Sequence, residues 1–355
     1  MCAVEWKKLG DVCKILDSQR KPISKSKRVF GSYPYYGANG IQDYVDGYIF
    51  DGTYLLIGED GSVINKDNSP VLHWVSGQFW VNNHAHILSD IKDAAILKYL
   101  YYVLHTIDVS DIVRGVPPKL NQENLKNIVL PIPSLAKQQE IVSHLDTFTT
   151  LISNLESELD MRRKQYEHYR NQLLDFDGVE GVEWKTIEDI AEIGTGSSNT
   201  KDELDNGLYP FFVRSQQVRW QNKYEYDETA IITSGDGVGV GKIFHYIEGK
   251  YALHQRAYRI HILDTSVVAK YVYNYMKCKF YDYIMMNAYS SSVTSVRRPM
   301  LLNFEVPIPS SKAQQEIVEK LDAFENLIQS LEQEIKLRKQ QYEYYREKLL
   351  TFEKE

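Results

Sequence analysis

Residues 131–176 read PIPSLAKQQEIVSHLDTFTTLISNLESELDMRRKQYEHYRNQLLDF, and residues 307–352 read PIPSSKAQQEIVEKLDAFENLIQSLEQEIKLRKQQYEYYREKLLTF. The two segments align without a gap and are identical at 26 of 46 positions, so the chain contains an internal repeat. Apart from the last three residues, everything else precedes the first copy or lies between the two. The repeat predicts four segments, which are 1–130, 131–176, 177–306 and 307–355.

Each copy has the pattern of one long helix. Mostly apolar and aromatic residues recur at alternating spacings of four and three, which is the heptad pattern of a coiled coil. Neither helix contains an interior Pro or Gly, and Ser134 and Ser310 are candidate N-caps. Arg162 and Arg338 interrupt the seam at equivalent places, and we expect them to pair with acidic residues across a helix pair. The seam consists of Ile141, Leu145, Phe148, Ile152, Leu155, Leu159, Arg162, Tyr166, Tyr169 and Leu173, and again of Ile317, Leu321, Phe324, Ile328, Leu331, Ile335, Arg338, Tyr342, Tyr345 and Leu349.

One seam cannot bury itself, so each helix needs a partner. A single copy would indicate a dimerisation arm between two chains. Two near-identical copies in one chain favour pairing within the chain, because linked partners have a high effective concentration. We expect Leu155 and Leu331 to contribute to that helix pair.

The segments before the two helices repeat each other more weakly. They predict α+β domains with short strands, tight turns and few helices. Their divergence beside well-matched helices indicates one scaffold that carries two different readers. In this comparison we place His84 opposite His254. The matching stretches are 4–7 with 182–185, 55–64 with 231–240, 79–88 with 251–260, 94–107 with 267–284, and the strand before each Pro-Ile-Pro.

Composition places few limits on the class of protein. The net charge of −7 would disfavour a nucleic-acid binder if charge were uniform, but residues 1–130 hold 14 basic and 14 acidic side chains. A local basic face is therefore compatible with the sequence. Cys2, Cys13 and Cys278 form neither a ligand pair nor an even disulfide set. The first residues hold no apolar core of signal-peptide length, and no window approaches about 18 consecutive apolar residues. We expect a cytoplasmic protein.

Motifs for catalysis or metal binding are missing. The glycine run at 235–242 lacks the spacing of a phosphate-binding loop and predicts a tight turn. His84 and His86 have no Cys or acidic ligand at metal spacing, so a structural role is favoured. Pro117-Pro118 lacks the flanking residues of an amino-methyltransferase motif. We therefore expect no catalytic residue, no metal and no cofactor in this chain.

The repeated helix start resembles that of the specificity subunits of type I restriction–modification enzymes. The resemblance is carried by Pro-Ile-Pro followed by Gln-Gln-Glu-Ile at 138–141 and 314–317, by Glu-Trp-Lys at the start of each half, and by YPYYGANGI at 33–41. It covers essentially the whole chain.

This resemblance implies two target-recognition domains separated by two long helices that pair as an antiparallel coiled coil with pseudo-twofold symmetry. Each domain would read one half of a bipartite, asymmetric DNA site, and the helices would fix the gap. Two methyltransferase subunits carrying S-adenosylmethionine would dock, and motor-nuclease (restriction) subunits are further expected partners. The residues expected to contact partners or form the helix pair are Gln138, Gln139, Glu140, Leu155, Gln314, Gln315, Glu316 and Leu331.

Loops rich in polar and basic residues are the candidates for DNA contact, because Lys and Arg bind phosphates and Arg, Asn, Gln, Ser and Thr bind base edges. A solvated basic loop is the plainer interpretation. Arg297 and Arg298 fit a helix-capping or partner role equally well. The candidates in the first domain are Gln19, Arg20, Lys21, Lys25, Lys27, Arg28, Tyr35, Tyr36 and Asn39, and those in the second are Ser197, Ser198, Asn199, Lys201, Arg214, Ser215, Gln216, Arg297 and Arg298.

Two other classes of protein remain open. A coiled-coil adaptor with two ligand-binding lobes would bind only protein and would show no salt-dependent DNA affinity. An enzyme with an unrecognised active site would show activity as the isolated chain.

Overall fold

A computed structural model describes residues 4–61, 63–91, 93–237, 239–286 and 295–353. Cys2 and Val238 of the glycine run lie outside these ranges. The chain forms two compact units. Unit 1 comprises the chain up to Leu155 together with the segment from Glu334 onward, and unit 2 comprises Glu156–Gln333. Both long helices therefore contribute to both units.

Unit 1 is built on a six-stranded sheet of order β2-β7-β5-β6-β3-β4, in which only the β3–β6 pair is parallel. A second sheet pairs β1 with β8. The elements are β1 (Glu5–Lys8), α1 (Leu9–Val12), β2 (Cys13–Ile15), β3 (Phe30–Gly37), β4 (Gly40–Val45), β5 (Phe50–Gly58), β6 (Leu72–Val81), β7 (Ala85–Asp90), α2 (Leu97–Leu104), α3 (Gln122–Lys126), β8 (Val129–Ile132) and the first half of α4 (Leu135–Leu173).

Unit 2 repeats this topology. Its six-stranded sheet has the order β10-β15-β13-β14-β11-β12, with β11 and β14 parallel, and β9 pairs with β16. The predicted α+β class is confirmed. The elements are β9 (Glu183–Thr186), α5 (Ile187–Ile190), β10 (Ala191–Thr195), β11 (Tyr209–Phe212), β12 (Arg219–Gln221), β13 (Tyr226–Ser234), β14 (Phe244–Leu253), β15 (Ala257–Ile262), α6 (Ala269–Met286), α7 (Arg298–Leu302), β16 (Glu305–Ile308) and α8 (Ser311–Leu350), which ends in unit 1.

The strand registers correct the predicted alignment of the two halves. His84 stands where unit 2 has Arg256, and His254 stands where unit 1 has Asn82. The prediction that His84 is opposite His254 is therefore wrong by two residues, because it matched two histidines whose places on the strands differ. The pairs that establish the register are Leu55 with Leu88 and Ile231 with Ile260.

The two long helices begin and run as predicted. The Lys137 amide donates to Ser134 Oγ at 3.4 Å, and the Ala313 amide donates to Ser310 Oγ at 3.3 Å, so both serines act as N-caps. The predicted seam residues are buried or half-buried, Leu155 and Leu331 among them, except for the exposed Tyr169.

Within each unit, the start of one long helix packs against the end of the other. In unit 1, Phe148 stacks on Tyr345 with ring centroids 5.4 Å apart. In unit 2, Tyr169 stacks on Phe324 at 5.5 Å, and Tyr166 Oη donates to Glu325 at 2.7 Å. This is antiparallel pairing inside one chain, rather than a dimerisation arm.

The arginines that interrupt the seam pair within their own helices. Arg162 contacts Glu158 at 3.3 Å, and Arg338 contacts Glu334 at 2.9 Å. The expected pairs across the helices are therefore corrected. An acidic residue four positions earlier lies one helical turn away, which makes it the nearest partner. Such exposed pairs contribute little to stability.

Each long helix is joined to its globular part through one buried glutamine. Gln138 donates to the Pro133 carbonyl and accepts from the Ile96 amide at the start of α2, both at 2.8 Å. Gln314 repeats this arrangement with Pro309 and Val268, again at 2.8 Å. Both side chains are buried, so their assignment to a partner surface is corrected. The other residues expected on that surface, Gln139, Glu140, Gln315 and Glu316, are exposed.

Replacing Gln138 by Leu should lower the free energy of unfolding by about 1–3 kcal/mol, because the Ile96 amide and the Pro133 carbonyl would lose their buried partner. Chemical denaturation measures this loss. Gln139→Leu is the matched control, and we expect a change within about 0.5 kcal/mol for this exposed position. Equal effects of the two variants would contradict the buried clamp.

Candidate nucleic-acid interface

Loops that are distant in sequence meet at one end of the six-stranded sheet of unit 1. They follow β2, β3, β5, β6 and α2, and backbone hydrogen bonds tie them to each other and to the strand ends. We call this region the loop end of unit 1. The bonds are Lys21 N to Val81 O (3.4 Å), Asn82 N to Tyr36 O (3.0 Å), Glu59 N to His84 O (2.8 Å) and Leu120 N to Glu59 O (2.8 Å).

Unit 2 has an equivalent loop end with the same backbone connections. The side chains differ between the two units, but the main-chain frame is retained. The corresponding bonds are Ser198 N to Leu253 O (3.2 Å), His254 N to Phe212 O (2.9 Å), Gly235 N to Arg256 O (2.9 Å) and Val296 N to Gly235 O (2.8 Å).

In unit 1, five of the predicted DNA-contact residues are exposed. The segment from Ser18 to Arg28 is a loop, as predicted, with single 3-10 turns at Asp17–Gln19 and Lys25–Lys27. The five exposed residues carry positive or amide groups that are available for phosphate or base contacts. They are Gln19, Lys21, Lys25, Lys27 and Asn39.

Arg20 is held in ion pairs within unit 1, and its contact with DNA stays a prediction. Its side chain is 14% exposed and forms ion pairs with Asp17, at 3.4 Å, and with Glu59. His86 is buried beside them, with Nδ1 at 2.6 Å from Asp17 and Nε2 at 2.8 Å from the Leu120 carbonyl. Burial opposes ionisation of Asp17, but the hydrogen bond and electrostatic interaction with His86, the hydrogen bond from Gln122 and the charge of Arg20 together outweigh it and lower the pKa of Asp17.

The same cluster resembles a metal site in residue type. Ligand atoms of Asp17, Glu59 and His86 lie within 4.8 Å of one another. However, the Arg20 guanidinium already bonds both carboxylates, so the protein supplies the cation itself. His84 is partly exposed and pairs with Asp60 instead of joining His86, so the two histidines do not form one site.

Arg28 and Tyr35 also belong to the framework and are corrected as DNA contacts. Tyr35 is 1% exposed, and its hydroxyl accepts from the Ile23 amide at 2.9 Å. Arg28 lies over the Tyr35 ring at 4.3 Å and pairs with Asp43 at 3.2 Å. Tyr36 is half-buried and packs edge-on against an aromatic ring of β6.

In unit 2, the predicted residues Arg214, Ser215 and Gln216 line a groove of about 510 Å³. Lys201 is exposed. The backbone amides of the predicted residues Ser197, Ser198 and Asn199 form hydrogen bonds that shape their loop. Glu225 accepts from the amides of Ser197 (2.7 Å) and Ser198 (3.2 Å), and Asp202 accepts from the Asn199 amide (2.7 Å).

Arg297 and Arg298 are exposed directly after Val296, which belongs to the loop end of unit 2. Arg297 is the N-cap residue of α7, but its side chain makes no capping hydrogen bond. Both side chains are therefore exposed cations beside the loop end of unit 2.

Sequence reasoning missed Asp236 and Arg256. Asp236 was interpreted only as a turn residue, yet it accepts from Arg214 at 2.6 Å and from Arg256 at 3.4 Å. The hydrogen bond from Arg214 lowers the pKa of Asp236. Arg219, missed as well, lines the groove beside Arg214. A gapless comparison of 79–88 with 251–260 would have placed Arg256 opposite His84.

Comparison with known proteins points to the same architecture and to DNA specificity. A family model described as the type I restriction modification DNA specificity domain matches residues 3–161 and again residues 180–337. A Haemophilus influenzae protein named as a type I restriction enzyme specificity subunit is 34% identical over 98% of this chain and 96% of its own length. The Escherichia coli EcoR124I/EcoR124II specificity subunit is 29% identical over 99% and 95%.

A solved structure shares the fold. The S subunit of a type I restriction–modification system from M. genitalium superimposes with a TM-score of 0.73 at 14% identity, covering 99% of this chain and 97% of that one. Two DNA specificity domains in one chain define a DNA-recognition protein. The chain belongs to the family of type I restriction–modification specificity subunits.

None of the helices in the described part of the chain combines the length and apolar character that a membrane span requires.

Replacing Arg20 by Ala should destabilise unit 1 by about 3 kcal/mol, because the buried Asp17 and the partly buried Glu59 would lose the guanidinium that bonds both, and Lys119 pairs with Glu59 alone. Both carboxyl groups have a lowered pKa, so the stabilisation is present above about pH 4 and is lost as the pH falls further. Denaturation at pH 7 and pH 3 measures both effects. Lys21→Ala is the exposed control, and a similar loss there would contradict the structural role of Arg20.

Proposed function

We propose that this chain recognises a bipartite, asymmetric DNA site, with each loop end contacting one half. The observation that carries this proposal is the occurrence of one backbone frame twice with different side chains. Two half-sites of different sequence need two different DNA-binding surfaces. A repeated backbone frame supplies two surfaces of the same shape whose side chains contact different bases. Membership of the specificity-subunit family supports the same reading.

The distribution of charge is compatible with DNA binding despite the net charge of −7. Exposed cations lie on or beside the loop ends, where they can contact phosphates without being neutralised by buried acids. Lys21 and Lys27 serve unit 1, and Lys201, Arg297 and Arg298 serve unit 2. Affinity for DNA should accordingly fall with rising salt concentration.

In this proposal the chain selects the DNA sequence, and a partner subunit catalyses the reaction. The E. coli relative is named as the specificity subunit of a restriction enzyme, which supports assembly with further subunits. The exposed Gln139 and Glu140, repeated as Gln315 and Glu316, offer one equivalent surface in each unit. We expect two methyltransferase subunits there, carrying S-adenosylmethionine, with motor-nuclease subunits as further partners and no catalytic residue in this chain.

The direct test is a methylome. The chain is expressed with the methyltransferase encoded beside it in a methylation-free host, and modified adenines are mapped by sequencing. We expect a two-part motif with a fixed gap that is lost when this chain is omitted. Full methylation without the chain, or none despite a stable complex, would favour the protein adaptor.

Exchanging residues 1–130 for the same segment of another family member should change one half of the motif only. The reason is that the loop end of unit 1 is formed almost entirely by that segment. The same methylome assay reads the result, with the exchange of 177–306 as the reciprocal control. A change in both halves after either exchange would refute independent readers.

A further inference from the structure

A partly exposed carboxylate that bonds to a basic side chain occupies the same place in both loop ends. In unit 1, Asp60 pairs with His84. In unit 2, Asp236 pairs with Arg256 at 3.4 Å and with Arg214 at 2.6 Å. The strand registers make His84 and Arg256 equivalent. The carboxylate is therefore retained while its basic partner changes, as expected of a position that reads different bases on one scaffold.

The space beside this pair differs between the units. In unit 1, Glu59 and His86 fill it, together with Arg20. Their equivalents in unit 2 are Gly235 and Tyr258, and a cavity of about 220 Å³ remains there. It is lined by Thr195, Gly235, Asp236, Gln255, Arg256, Tyr258 and Ser295.

We propose that Arg256 and Asp236 read a G·C base pair in the major groove within the half-site of unit 2. Arg256 would donate to guanine O6 and N7, and Asp236 would accept from the cytosine N4 amino group. The inference rests on the proposed DNA-recognition function and assigns residues to it.

The geometry fits a base edge better than a phosphate. The side chain of Arg256 is 60% exposed, and its contact with Asp236 engages one N–H of the five in a guanidinium. Arg214 holds the other carboxylate oxygen of Asp236, which orients the group and leaves lone pairs free. A phosphate could bond to the guanidinium groups but would leave the Asp236 carboxylate unused, whereas a G·C pair presents acceptors to Arg256 and a donor to Asp236.

The same argument separates the two units. The two ring nitrogens of an imidazole point in different directions, so His84 cannot form the two parallel N–H bonds that a guanidinium forms with guanine. Unit 1 should therefore read a different base pair at the equivalent position, in agreement with an asymmetric target.

The experiment compares the methylomes of the complete complex with the wild-type chain, Arg256→Ala and Arg256→Lys. We expect Arg256→Ala to relax one G·C position in one half-site, with discrimination falling roughly 10- to 100-fold, and to leave the other half unchanged. Arg256→Lys keeps the charge but loses the planar fork, so we expect partial relaxation. Lys250→Ala, which removes an exposed lysine over the Tyr224 ring in the same unit, is the control and should leave the motif unchanged.

Thermal unfolding checks that each variant is folded, and an exposed ion pair should matter little to it. An unchanged motif in folded Arg256→Ala would overturn this assignment while leaving the proposed function intact. The lack of any two-part motif with the wild-type chain would instead remove the proposed function. If Arg256→Ala abolishes methylation, a competition binding assay replaces the methylome. It compares the affinity of the variant complex for the target with its affinity for a target in which that G·C pair is changed to A·T. If the variant prefers the G·C target as strongly as the wild type does, the assignment is overturned.

Discussion

A helix of about 40 residues with one apolar seam must bury that seam against another element, and the organisation of both units follows from this constraint. Helix α4 spans 39 residues and α8 spans 40. The end of α8 completes unit 1, where Leu350 joins the same core as Leu55, Leu100 and Leu145. The last residues of the chain thus help to close the core of the first globular part. The compact units consequently do not coincide with the two halves of the sequence.

Buried polar clamps hold each globular part to its helix in the same way. A buried amide must satisfy its donors and acceptors, so Gln138 and Gln314 allow few substitutions and few geometries. Tyr99 and Tyr271 add a second repeated bond, each donating its hydroxyl to the carbonyl of the first proline of Pro-Ile-Pro, at 2.7 and 2.8 Å. At the loop ends the carboxylate of Asp60 and Asp236 recurs, but its basic partner changes from His84 to Arg256. The basic position can therefore vary in sequence while the framework stays constant, which suits a protein that must acquire new specificities.

In the loop end of unit 1, some basic side chains stabilise the fold through ion pairs, whereas their neighbours in sequence remain exposed. Arg20 and Lys21 are adjacent in sequence and equally plausible as phosphate contacts. Arg20 points inward to two carboxylates and Lys21 remains exposed. Similarly, Arg28 covers a buried tyrosine, whereas Lys25 and Lys27 remain at the surface. Asp17 is close to Arg20 in sequence, but Glu59 and Asp43 come from other strands and loops, and the fold decides that they meet Arg20 and Arg28.

The sequence alone determined the internal repeat, the two capped heptad helices, the α+β class and the resemblance to specificity subunits. These features are local or periodic, so spacing and residue type suffice to detect them. Only the tertiary structure decided that Gln138 and Gln314 are buried, that Arg162 and Arg338 pair within their own helices, and that His84 corresponds to Arg256. It also separated the exposed cations from those consumed by ion pairs. The physical reason is that hydrogen bonds and ion pairs depend on distances of a few ångströms between residues that may be a hundred positions apart, and only the folded chain sets those distances.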